Sequence, residues 1–343
     1  MISFTNDYSE CAHPLILKNL AEHCYEQNAG YGLDNHCKRA SDLIRSYIGN
    51  VNVDIHYLNG GTQTNLTVLS AMLRPFDAVI STERGHINTH ETGAIEGCGH
   101  KVLAMPGEDG KLTPADIEEA VQMHFSEHMV HPAAVYISDT TEIGSVYTKA
   151  ELTALREVCT RHHLYLFLDG ARLGAALTST ANDLTLRDLA WLTDVFTIGG
   201  TKNGALAGEA VVISNDVIQR DFRFYMKHTG AMNAKGFVLG MQFETLFQNR
   251  LYFRLAEHAN NMAQLLKDAC VAAGFPFLTK PVSNQIFPVV DDASLEKLQK
   301  DFNFEVWEKA DEDHTIIRFV TSWATREEQV QELVQALKAL KEN

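Results

Sequence analysis

The chain has 343 residues, 45% hydrophobic and 21% charged, an ordinary globular balance long enough to bury a large core as about two to three domains, or as one large α/β domain with a smaller one. A formal net charge of −15 argues against a nucleic-acid or anionic-membrane partner, while a small anionic substrate, which responds to local charge, stays open. Six dispersed cysteines without a CxxC read as reduced thiols in a cytoplasmic protein, the start MISFTNDYSE lacks a signal-peptide pattern, and no run reaches the roughly 18 apolar residues of a membrane span.

Residues 1–14 read as an irregular arm. Pro14 starts a helix running to about Gln27, NAGYGLDNH is a loop, and a second helix runs from about His36 to Ile48. Ile55–Leu58 is a short strand, followed by NGGTQTNLTVLSAML. Its glycines make a tight turn, and Thr62 or Thr64 can cap a helix that runs to Leu73. Strand, glycine turn and helix start form a ready anion site, although a plain capped helix would look the same. The pattern is not GxxxxGK[ST]. Ala78–Ser81 is the next strand, and His86 lies just past its end, where a side chain can cover a bound ring. His86 and His90 stand four apart, but HExxH is missing and no third ligand is evident, so no metal is expected. Lys101–Leu103 is a strand and Thr113–His124 a helix with Pro114 in its first position. His124, His128 and His131 near its end read as solvated or as compensating the helix dipole. Ala134–Ser138 is a strand, and Lys149–His162 an amphipathic helix.

The stretch from Leu164 to Gly204 carries the chemistry. The apolar run Leu164–Leu168 reads as a buried strand that stops at Asp169-Gly170. Asp194–Ile198 is another, and it delivers Lys202 on a loop between Gly200 and Gly204. In parallel sheets covered by helices, ligands sit beyond the carboxyl ends of the strands, where Asp169 stands. Pyridoxal 5'-phosphate uses such a pair: its aldehyde condenses with a lysine, and its ring nitrogen needs a carboxylate to stay protonated. Taken singly, the aspartate also suits a turn or a cap, and the lysine also suits solvent. Leu206–Ile213 returns as a strand. The alternation of strands and helices from 55 to 213 implies a parallel sheet. Val217–Phe224 is helical, YMKHTGAMNAKG is a glycine-rich loop carrying Lys227 and Lys235, and a helical tract, broken or bent, covers Phe237–Ala273. Strand Ile286–Val290, helix Leu295–Asp301, strands Phe304–Trp307 and Thr315–Val320, and helix Arg326–Lys341 make a small α+β domain. Arg318, inside the apolar strand IIRFV, is either paired structurally or aimed at a carboxylate. The expected organisation is an arm (1–14), a large cofactor-binding α/β domain (15–243) and a small C-terminal α+β domain (244–343).

With GGTQTN (60–65), HINTHE (86–91), FLDGAR (167–172), TIGGTKNG (197–204), KHTGAM (227–232) and IRFVTS (317–322) in this order, the chain resembles the low-specificity threonine aldolases, β-eliminating lyases of the aspartate-aminotransferase fold (fold type I). The resemblance implies a mostly parallel, seven-stranded-type sheet covered by helices. It implies Lys202 as the Schiff-base lysine and Asp169 as the ring-nitrogen partner. Gly61 and Thr62 match the phosphate turn, Thr201 the hydroxyl beside the lysine, and His86 the histidine stacked on the ring and handling the substrate hydroxyl, directly or through water. Arg172 and Arg318 match the grip on the substrate carboxylate. Lys227 matches a basic residue reaching the neighbouring subunit's phosphate, in a homodimer or homotetramer with its site at the subunit interface. Asn6 stands where Ser is usual near the substrate carboxylate, His90 where an aromatic residue faces the β-substituent, Asn233 where a basic residue is usual, and Thr140 where Asn is common. The implied reaction is retro-aldol cleavage of threonine or allo-threonine to glycine and an aldehyde. A β-eliminating lyase or a transaminase would use the same residues, and a non-catalytic binding protein of this fold is the distant alternative.

Overall fold

In the structure, a computed structural model that describes residues 1–341, the short apolar runs assemble into one seven-stranded sheet. Its strands are β1 (Asp54–Leu58), β2 (Asp77–Thr82), β3 (Lys101–Met105), β4 (His131–Ser138), β5 (Tyr165–Asp169), β6 (Val195–Gly199) and β7 (Glu209–Ile213), in the spatial order β1-β7-β6-β5-β4-β2-β3. β7 runs antiparallel to both β1 and β6, and the other pairings are parallel. The fold is thus α/β with a mostly parallel sheet. Successive side chains along a strand point to opposite faces. Leu166 and Leu168 therefore join one apolar cluster, and Phe167 between them joins the other. Both faces are covered by helices, which is why these strands read as continuous apolar runs. The chain direction across the sheet reverses at β2: β3 lies on one side of it, β4 and the strands beyond on the other. Loops leaving the carboxyl ends at such a reversal open a crevice.

Several elements differ from expectation. The return strand starts at Glu209, three residues after the sequence suggests, because Gly204–Gly208 is spent on the turn that folds back over Lys202. Helix Asp216–His228 is longer than expected and carries Lys227 in its last turn rather than in a loop. His131 lies on β4, with Nδ1 3.0 Å from Asp77 Oδ1. The long helical tract is broken, as expected, into Phe237–Phe247 and Leu251–Ala273, with Asn249 and Arg250 at positive φ between them. The arm is irregular as expected from Phe4 to His13, but its start is not. Ile2–Ser3 pairs with Phe302–Asn303, and Phe4 is buried beside Leu266, Ile317 and Phe319 in the C-terminal core. That core backs a small antiparallel sheet of Val289–Asp291, His314–Val320 and Glu305–Lys309, with Gln285–Ile286 on the same central strand. Among the described residues, no helix is long and apolar enough to cross a membrane.

Helix Asn35–Ile48 packs closely on helix Phe237–Phe247, and the contact is set by Gly240. A Cβ there would sit 2.5 Å from the Cys37 backbone nitrogen. Alanine would gain about 1 kcal/mol in helix propensity. Overpacking against a backbone atom that cannot rotate away costs about 1–3 kcal/mol or more. Gly240→Ala should therefore lower unfolding stability by a net ~1–2 kcal/mol in urea titration, and an unchanged midpoint would mean that the helices separate freely.

Candidate active site

The loops at the carboxyl ends of the sheet enclose a cavity of about 290 Å³ lined by Gly60, Gly61, Thr62, His86, Asp169, Arg172, Thr201 and Lys202, among others. Residues far apart in sequence thus meet where the strand order reverses. Close approach of the strand ends is what brings Asp169 and Lys202 together. Thr197 hydrogen-bonds the Gly170 backbone N–H at 2.7 Å, and a side chain at Gly170 would run into the Thr197 carbonyl.

Asp169 is buried and held by three donors. Oδ2 accepts from Asn65 Nδ2 (2.9 Å) and the Tyr136 hydroxyl (2.7 Å), and Oδ1 accepts from the Ala171 N–H (2.9 Å). The other N–H of the Asn65 amide donates to Glu91 Oε1 (2.7 Å), which also faces His86 Nδ1 at 2.7 Å. His86, Glu91, Asn65, Asp169 and Tyr136 form one connected network. Burial disfavours the charged imidazole, but the bond to Glu91 and the charges of Asp169 and Glu91 outweigh it and raise the His86 pKa. Glu91 on Nδ1 leaves Nε2 as the ring's free acceptor.

Lys202 is half-buried. Desolvation and the neighbouring Arg172 charge lower its pKa, opposed by Asp7, Asp169 and Glu209. Glu209, on β7, faces the same cavity and is pushed up to about 8 by burial and by the Asp169 charge. Its Oε1 accepts from the Thr201 hydroxyl at 3.1 Å, and that hydroxyl accepts from the Gly208 N–H at 3.0 Å.

At one end of the cavity stands helix Gly61–Met72. The expected threonine cap is absent: Gly60 is the N-cap, and no side chain caps the helix. Thr62 and Thr64 fall inside the first turns, past the capping position. The free N–H groups of that turn remain available to an anion. A Cβ built on Gly60 or Gly61 would meet nothing within 4 Å, so the turn is open to a ligand. Beside it, Asn59 and Asn233 exchange amide hydrogen bonds (2.6 and 3.1 Å). The residues fit a cofactor with an aldehyde for Lys202, a basic ring nitrogen for Asp169, a ring face for His86 and a phosphate for the helix start.

At the other end, a cavity of about 610 Å³ shares Lys202, His86 and Arg172 and adds His90, Trp307, Glu305 and Arg318. Arg172 forks onto the buried Asp7 (Nε–Oδ2 2.7 Å, Nη2–Oδ1 3.0 Å). Burial raises the pKa of Asp7, but the Arg172 and Lys202 charges prevail and hold it ionised. Arg318 pairs with Glu305, reaches Gln285 Oε1 at 3.2 Å, and keeps a buried Nε with no partner among the described residues. Asn6 is not drawn to the arginines. Its Oδ1 accepts from the Tyr8 N–H (3.0 Å) and the Ser9 hydroxyl (2.9 Å), and the arm residues lining the cavities are Thr5 and Tyr8. Lys227 is exposed, its Nζ 5.1 Å over the Tyr31 ring, outside both cavities of the single chain.

Sequence reasoning missed Asp7, Asn65, Tyr136 and Glu209. Only Glu209, an acid opening an apolar strand, left a signal, of the same kind that singled out Arg318.

The Glu91 contact has a testable consequence. Glu91→Gln keeps an oxygen for His86 and Asn65 but removes the charge that raises the histidine. The His86 pKa then falls, so that with His86 as the catalytic base the acid limb of the pH–rate profile would move to lower pH. A limb that stays in place would detach His86 from the rate.

The β-eliminating lyase family profile matches residues 18–293. The chain is 33% identical to the low-specificity L-threonine aldolase of Pseudomonas sp. (strain NCIMB 10558), over 96% of this chain and 94% of that protein. The low-specificity L-threonine aldolase of Saccharomyces cerevisiae is 22% identical over 76% of this chain and 67% of that one. Among solved structures, a threonine aldolase of Leishmania major superposes with a TM-score of 0.97 at 48% identity, covering 99% of this chain and all of that one (100%). An aspartate aminotransferase of Thermus thermophilus, 15% identical with a TM-score of 0.74 over 99% of this chain and 91% of that one, shares the fold alone.

Proposed function

We infer that this chain, which belongs to the β-eliminating lyase family, cleaves β-hydroxy-α-amino acids, L-threonine and L-allo-threonine first, to glycine and an aldehyde, with pyridoxal 5'-phosphate as cofactor. The observation that carries the reading is the joint position of Lys202 and Asp169 on one cavity, between an uncapped helix start and an arginine pair. When bound, the cofactor supplies an aldehyde for the substrate amine and a cationic ring that takes up the electron pair of the broken bond.

The chain's own groups do the rest. Lys202 would hold the cofactor through its amine, which requires it neutral. The Gly61 and Thr62 backbone N–H groups hold the phosphate, and Asp169 keeps the ring nitrogen protonated. Arg172, braced by Asp7, and Arg318 bind the substrate carboxylate by charge-assisted hydrogen bonds. A carboxylate fixed there would orient the substrate so that the Cα–Cβ bond, rather than Cα–H, is the one placed for cleavage. His86 Nε2, directly or through water, takes the β-hydroxyl proton, and Glu91 on Nδ1 supports the imidazolium that forms. His90 borders the space for the β-substituent. Lys227, exposed on its own chain, reaches the phosphate of a neighbouring subunit in a dimer or tetramer.

Incubation with L-threonine should yield glycine and acetaldehyde in equal amounts. A keto acid with ammonia would instead mark β-elimination, and a keto acid formed only with an added amino acceptor would mark transamination. Borohydride reduction before substrate should leave the cofactor's mass on the peptide containing Lys202.

A further inference from the structure

The turn that follows the first helix, Pro14–Glu22, and the start of helix Asn35–Ile48 bring His23, Glu26 and His36 together, with one ligand atom of each within 4.8 Å of the others. We propose that these side chains form a binding site for a divalent transition-metal ion, zinc by their chemistry, separate from the active site.

The donor set comes first. Two imidazoles and a carboxylate are a zinc set, with a fourth position left for water, whereas magnesium and calcium call for oxygen ligands. The spacing agrees. His36 Nε2 lies 3.2 Å from Glu26 Oε2, and donors at tetrahedral zinc, with bonds of about 2.0–2.1 Å, stand roughly 3.3 Å apart. The His23 and His36 rings meet edge to face at 5.3 Å.

The outer contacts are independent of that spacing. Metal-bound histidines almost always donate their other ring N–H to a carboxylate or a carbonyl. Here His36 Nδ1 lies 2.7 Å from Glu244 Oε2, and His23 Nδ1 lies 2.9 Å from the Asn19 carbonyl. Arg39 joins the same cluster, its Nη2 2.7 Å from His36 Nδ1 and its guanidinium donating to Glu244, Nε–Oε1 at 2.6 Å and Nη2–Oε2 at 3.2 Å. Nε2 of the buried His36 faces the Glu26 carboxylate, the pair of atoms an ion would share. His23 and His36 border a cavity of about 430 Å³, which gives an ion a path in. The ion would tie the turn after the first helix to helices Asn35–Ile48 and Phe237–Phe247, so binding stabilises the fold by mass action.

The test titrates metal-stripped holoenzyme with zinc chloride against a chromophoric chelator near neutral pH, and follows thermal unfolding in parallel. About one zinc per subunit is expected, with affinity falling as pH drops because the proton competes for Nε2. His23→Asn and Glu26→Gln should each weaken it more than about 100-fold, beyond the tenfold to hundredfold loss expected for the outer partner in Glu244→Gln. The zinc-dependent rise in melting temperature should vanish with them. Cys24→Ser, which removes the exposed thiol next to His23, should change nothing. Wild-type protein that holds no more zinc than a His23→Asn/Glu26→Gln double variant would overturn the site. Zinc lost only with Cys24→Ser would overturn it in favour of a thiol.

Discussion

Replacing Lys202 with alanine is expected to cut glycine release from threonine at least about 10³-fold while the protein stays folded. No other lysine lines either cavity of the site, so no neighbouring amine can take over its role. Its burial, with the Arg172 charge beside it, lowers the pKa and so widens the pH range in which the amine is neutral and nucleophilic. The sign matters. If a positive charge were all the site needed, Lys202→Arg would rescue the activity. Arginine is never neutral in a protein, so a requirement for a free amine predicts that Lys202→Arg fails as fully as Lys202→Ala. The measurement is steady-state glycine production beside a thermal melt. Either variant working within tenfold of wild type would remove Lys202 from the chemistry. An inactive variant that no longer melts cooperatively would report on folding instead. Folding is expected to survive, because the change removes a half-buried amine and leaves the strand ends around Gly170 and Gly199 as they are.

The parts of this site that the sequence makes legible are those with a local signature. Lys202 and Asp169 each follow a short apolar run that ends at glycines, and a buried parallel strand has little else to show. Asp169's partners have no such signature. Asn65 sits 104 residues before it and Tyr136 33 residues before it, and nothing local says which buried polar groups will meet. The helix start at Gly61 was read through the usual preference for threonine caps, yet the tight glycine turn puts Gly60 at the cap and leaves the first turn open. The arm escaped because a two-residue strand has no period, and Ile2–Ser3 finds its partner some three hundred residues away at Phe302–Asn303. Asp7 became visible only with that docking, since pairing of the arm with the C-terminal sheet is what carries its carboxylate to Arg172.

Asp169→Asn is the second variant expected to fail heavily, by about 10²–10³-fold in turnover, the scale of losing one preorganised electrostatic group. The substitution nearly preserves shape and removes charge, but it cannot preserve the hydrogen bonds. Both oxygens of Asp169 already accept, from Asn65, Tyr136 and the Ala171 N–H. Whichever oxygen becomes an NH₂ group confronts a donor. If it replaces Oδ1 it meets the Ala171 backbone N–H, which cannot rotate. If it replaces Oδ2 it meets Asn65, whose amide is fixed in turn by Glu91, and only the Tyr136 hydroxyl can turn away. A buried donor left without a partner costs about 1–3 kcal/mol, so the melting temperature should fall as well as the rate. The two losses separate in the kinetics. Arg172 and Arg318 still hold the substrate carboxylate, so KM should change little while kcat collapses, the pattern of an interaction needed in the transition state rather than in binding. A rise in KM at unchanged kcat would place Asp169 in substrate binding. A lower melting point with kcat near wild type would leave it a purely structural acid.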